Sequence, residues 1–93
     1  MLSVYVIEGR RVTALAGFWQ AVGEAVNGPG GYFGRNLDAF ADCLSGGFGT
    51  PEDGDFVIEW RDHQFSRRAL GAAVFDELVD IMEERAPGAL RLR

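Results

Sequence analysis

Ninety-three residues, 47% of them hydrophobic and 25% charged, make one ordered domain with a single core and exclude a disordered chain. A net charge of −5 argues against gripping nucleic-acid phosphates and points to a basic partner, if any. One cysteine, Cys43, and one histidine, His63, exclude an intrachain disulfide and a Cys/His zinc cluster.

Leu2–Ile7 is short, β-branched and almost wholly apolar, which predicts a strand covered on both faces. Glu8–Arg11, just after it, breaks any apolar leader, so neither a signal peptide nor a membrane span is expected and the cytoplasm is the expected compartment. Thr13 is placed to cap a helix whose apolar positions are Leu15, Phe18, Trp19, Val22 and Val26, the stripe of a 3.6-residue repeat. Asn27-Gly28-Pro29 ends it. A shorter helix follows Asn36, with Leu37, Phe40 and Leu44 inward, and Gly46 stops it. Phe56–Trp60 is the second strand. Ser66 is placed to cap a helical turn ending near Gly71, and Ala72–Arg85 continues as a helix with Val74, Leu78, Ile81 and Met82 inward. Pro87-Gly88 breaks the chain, and Ala89–Arg93 alternates as a short edge strand. The order β-α-α-β-α-α-β predicts an α/β domain with a small three-stranded parallel sheet and about four helices, spanning residues 1–93.

The carboxylates are unevenly spread. Tyr32 to Glu59 carries six (Asp38, Asp42, Glu52, Asp53, Asp55, Glu59) against one cation, Arg35. Asp76 to Glu84 adds five more. On the second helix, Asp38, Ala41, Asp42 and Ser45 fall opposite the apolar stripe. Asp38 and Asp42 stand at i, i+4, their Cβ atoms roughly 5–6 Å apart, a spacing that costs an isolated helix roughly 0.2–0.5 kcal/mol. Asp38 recovers part of this from the helix dipole in the first turn; Asp42 does not.

The plainest reading of the pair is a solvated face on an acidic protein. An acid–base pair for glycosidic or phosphodiester chemistry is a second reading, but that chemistry needs a cleft and groups from several elements. A metal site lacks a defined third ligand. His63, in a charged loop after the second strand, reads as a surface histidine. Cys43, flanking the buried stripe, reads as a semi-buried inert thiol with no adjacent base. Gly46-Gly47-Phe48-Gly49 follows a helix and lacks the Gly-Lys-Ser/Thr ending of a phosphate loop.

Tyr32-Phe33-Gly34-Arg35-Asn36-Leu37-Asp38-Ala39-Phe40-Ala41-Asp42-Cys43-Leu44-Ser45-Gly46 resembles the signature run of the barstar family of ribonuclease inhibitors, and Glu59-Trp60-Arg61 is similar to a second family tripeptide on the second strand. The resemblance implies a three-stranded parallel sheet packed with helices. It also implies a non-enzymatic cytoplasmic inhibitor that protects a producing cell by occluding a basic, secreted, guanyl-specific ribonuclease, one to one. No cofactor, metal, nucleic acid, membrane or small-molecule substrate is expected. Carried over, it makes Asp42 the mimic of substrate phosphate and Asp38 the partner of a second cation. Tyr32 would pack on the enzyme's active-site histidine. Gly34, Asn36, Ser45 and Gly46 would line the contact, as would position 41, and Glu83, or Glu84 one residue on, would touch the enzyme from the last helix.

The departures fall on the non-ionic part of that surface. The family tryptophan on the binding face is Ala41 here. A second aromatic past the helix matches Gly47 or, with a shift, Phe48. The loop Gly47–Asp55 is longer and more acidic, and Ala89 stands where a second cysteine is found. These changes keep open a barstar-like module for another basic toxin or nuclease. A carboxylate or metal-dependent hydrolase is the remaining alternative.

Overall fold

The structure is a computed structural model that describes all residues, Met1–Arg93. Three strands, β1 (Ser3–Glu8), β2 (Phe56–Arg61) and β3 (Leu90–Leu92), form a parallel sheet in the order β1-β2-β3. A 3-10 turn (Gly9–Arg11), α1 (Leu15–Asn27) and α2 (Leu37–Leu44) connect the first pair. The second pair is joined by α3 (His63–Leu70) and α4 (Ala72–Arg85). The predicted α/β class, strand count and parallel pairing all hold.

The central strand shows why the helices share one face. Phe56, Ile58 and Trp60 alternate inward, and their register partners Tyr5, Ile7 and Leu90 point the same way. Phe18 of α1 and Phe75 of α4 both meet the Trp60 ring, each with centroids 5.0 Å away. The sheet is therefore covered on that face. On the other, more open face Val4 is 53% exposed and Arg61 is exposed, while Val6, Val57 and Glu59 are half-buried. This corrects the prediction of a first strand covered on both faces: β1 is an edge strand with one buried side. Across the open face runs a charge ladder. Arg61 reaches Glu8 at 3.4 Å and Glu59 at 3.3 Å, and Arg93 lies 3.7 Å from Glu59.

Three further local readings are overturned. The N-cap of α1 is Ala14, and Thr13 makes no capping bond. Ser66 lies inside α3 and is fully buried. Its hydroxyl accepts from Trp60 Nε1 at 3.0 Å and donates to the Gly9 carbonyl at 2.8 Å. The cap position of α3 belongs to Asp62, which adopts the left-handed conformation (φ 50°) and pairs with Arg10 at 3.3 Å. His63 opens α3 and is half-buried, with Nδ1 2.8 Å from the Arg93 carbonyl oxygen and its ring stacked on Phe75. On α4 the deepest positions are Phe75, Leu78 and Met82, with Val74 and Ile81 only partly covered.

Ser66 joins the central strand, the turn after β1 and α3 through one hydroxyl. Ser66→Ala should lower the unfolding free energy by about 2 kcal/mol, because it strands a buried indole N–H and a buried carbonyl. Urea denaturation followed by tryptophan fluorescence measures this, and an unchanged midpoint would contradict the role.

Candidate functional site

The segment Tyr32–Gly46 is built around a short helix that is anchored on one side and charged on the other. Asn36 sets its start. With φ −153° and ψ 172° it stands outside the helix, and its Oδ1 accepts from the Ala39 amide at 2.8 Å. This is the N-cap arrangement that asparagine favours. Gly34 lets the incoming loop lie on that first turn. Its φ is +94°, and a Cβ there would meet Cα and N of Phe40 at 2.7 Å. A side chain is excluded on both counts.

The inward side is held by aromatic packing. The Phe40 ring sits 6.1 Å from Phe33, 5.5 Å from Phe18 and 5.6 Å from Trp19. Cys43 and Leu44 complete the buried side, while Leu37 is only half-buried. Burial pushes the Cys43 thiol above its ordinary value of 9.0, and the neighbouring charge of Asp42 pushes the same way. A neutral, sheltered sulfur follows, in line with an inert thiol, and its burial is complete instead of partial.

The outward side carries Asp38 and Asp42. Both are exposed, and neither takes part in any of the chain's five ion pairs. Tyr32 is 45% exposed. Asn36, Ser45 and Gly46 are exposed as well. Two of the expected contact residues are not on this face. Gly34 is buried beneath α2, and Ala41 retains 8% of its surface. Ala41 shares the helical wheel with the aspartates, but α2 also packs against α4, so burial covers more of its circumference than Leu37, Phe40 and Leu44 define.

Helix α4 brings its own charges near. Arg85 Nη1 donates to Ser45 Oγ at 3.4 Å, which joins the last turn of α4 to the end of α2. Glu83 and Glu84 in that same turn are exposed and unpaired.

The shape of the site limits its chemistry. None of the three principal grooves of the molecule is lined by Asp38 or Asp42. No three His, Cys, Asp or Glu side chains converge as metal ligands. The carboxylates stand exposed on a helix outside those three grooves, where they are free to enter a partner's cleft. A family model described as Barstar (barnase inhibitor) matches residues 2–90.

The chain belongs to the barstar family.

This is a family of inhibitors, and membership makes the chain barstar-like, with a ribonuclease as the implied kind of partner. Helix α2 and the loop before it are the segment in which the sequence resemblance was concentrated. What sequence patterning missed is Asn27. Its side chain donates to the carbonyls of both Tyr32 and Phe48, at 2.7 Å each, and so links the loops on either side of α2. An Asn-Gly helix end gives no sign of such bonds.

Two outcomes follow. Asn36→Ala should cost about 1 kcal/mol and speed amide exchange selectively in the first turn of α2. Native Cys43 should react slowly with an aromatic disulfide reagent at pH 8. Asp42→Asn, which lowers the thiol pKa by removing one of its two causes, should raise that rate by less than about tenfold, since burial persists. Reaction as fast as in the unfolded chain would contradict the burial of the sulfur.

Proposed function

We propose that this barstar-like protein inhibits a basic, secreted, guanyl-specific microbial ribonuclease by occluding its active site, one inhibitor to one enzyme. The observation that carries the reading is the unpaired, outward pair Asp38 and Asp42 on a capped helix whose opposite side is locked into the core. A ribonuclease site holds anionic phosphate and is lined with cations. A rigid helix that offers carboxylates at those positions substitutes for phosphate.

In this reading Asp42 replaces the phosphate and Asp38 meets a second cation at the rim. The exposed Tyr32 ring packs on the enzyme's active-site imidazole. Asn36, Ser45 and Gly46 supply polar and backbone contacts, and Glu83 or Glu84 extends the acidic surface. The carboxylates need no rearrangement to bind, because no internal ion pair has to break first. Attraction between a chain of net charge −5 and a basic enzyme accelerates encounter. The chain performs no catalysis itself. A reducing, cytoplasmic setting accords with a single free buried thiol.

A second reading, a different basic toxin or nuclease as the partner, draws on Ala41. The resemblance places a tryptophan there, and here the position is small and buried, so it contributes no ring to the surface. Capture from the native cell followed by identification of the bound protein separates the two.

Titration of guanyl-specific microbial ribonucleases with the purified chain should abolish activity at stoichiometric, micromolar concentration. Absence of inhibition across several such enzymes would overturn the proposal. Asp42→Ala should weaken binding more than any other single truncation, by several kcal/mol, a scale for which barstar itself is one of the standard measured cases. Rising salt should slow association more than it speeds dissociation.

A further inference from the structure

Helix α2 is flanked by two glycine-rich loops, Gly28–Gly31 before it and Gly46–Gly49 after it. Loops of this composition are costly to order. Asn27, the last residue of α1, holds both. Its Nδ2 donates to the Tyr32 carbonyl at 2.7 Å and to the Phe48 carbonyl at 2.7 Å, so its two amide hydrogens serve two segments 16 residues apart in the chain. Gly49 is shaped to this contact. Its φ is +126°, and a Cβ on it would collide with the Asn27 amide oxygen. The Tyr5 hydroxyl donates to the Gly49 carbonyl at 3.4 Å and ties the second loop to β1 as well.

The residues whose carbonyls Asn27 holds are also the two large hydrophobic side chains left exposed next to α2, Tyr32 at 45% and Phe48 at 47%. We propose that Asn27 is a positioning residue of the partner-binding surface. By clamping both loops it sets the placement of Tyr32 and Phe48 relative to each other, so that the two rings and the two aspartates between them in sequence meet a partner as one preorganised unit. Ordering both loops in advance removes a cost that binding would otherwise bear, and such gains are read mainly in dissociation. The inference rests on the reading that this face binds a protein.

Asn27→Asp keeps the size of the side chain and removes both donors. Gly49→Ala disturbs the arm to Phe48. Both are compared with the wild-type chain against a ribonuclease that the wild type inhibits. Asn27→Asp should dissociate about tenfold faster, even though its added negative charge strengthens the long-range attraction to a basic enzyme. On a Tyr32→Ala, Phe48→Ala background that effect should shrink to near unity, because the rings it positions are gone. In the free protein, amide exchange should accelerate together in residues 30–34 and 46–50.

A variant that unfolds more readily yet dissociates at the wild-type rate overturns the proposal, as does a full effect on the truncated background. If Asn27→Asp does not fold, Gly49→Ala decides by the same dissociation and exchange measurements. A wild-type chain that binds no ribonuclease sinks the inhibitor reading and, with it, the binding role of Asn27. Binding by the wild type with Asn27→Asp equally good sinks the role of Asn27 alone.

Discussion

A continuous line of ring contacts governs how this protein presents its charges. Phe33 in the loop meets Phe40 of α2, Phe40 meets Phe18 of α1, Phe18 meets Trp60 of the central strand, and Trp60 meets Phe75 of α4. Each contact has its centroids between 5.0 and 6.1 Å apart, in tilted or edge-on geometry that aromatic pairs favour. An eight-residue helix has little intrinsic stability in water. Helix α2 owes its fixed rotation about its own axis to Phe40, the second ring of this line. Because that rotation is fixed, Asp38 and Asp42 face outward.

The polar contacts add what packing cannot. Asn36 sets where α2 begins, Gly34 allows the loop to lie against it, and Arg85 meets its far end through Ser45. The family relationship, the exposed carboxylates and their place outside the grooves all point the same way. Under the proposed reading they form a surface that inserts into a partner's cleft, with its own residues already held in place.

The elements themselves were plain from the sequence because local rules govern them. The 3.6-residue stripe on α1, the β-branched strands, and the Asn36 and Gly46 boundaries of α2 each depend on neighbours a few residues away. The aspartate pair was legible for the same reason, and the long run from Tyr32 to Gly46 tied it to a family. What failed was non-local. Ser66 looks like a helix cap until Trp60 and Gly9, 6 and 57 positions away, claim its hydroxyl. Ala41 falls on the polar side of the wheel, and only the approach of α4 to α2 gives its burial a cause. The exposure of Val4 depends on which face of the sheet the helices cover. Asn27 reads as a helix end because neither of its acceptor carbonyls can be paired with it by periodicity.

The ladder on the open face of the sheet has an effect beyond that face. Glu8, Arg61, Glu59 and Arg93 neutralise one another there. Seven unpaired carboxylates lie on α2 and α4: Asp38, Asp42, Asp76, Glu77, Asp80, Glu83 and Glu84. Arg67, Arg68 and Arg85 on α3 and α4 offset only part of this, so excess negative charge lies on the helical side and not on the sheet. In the field of a cationic body such an uneven distribution feels a torque as well as a pull, so the protein would turn its helices forward while still at a distance.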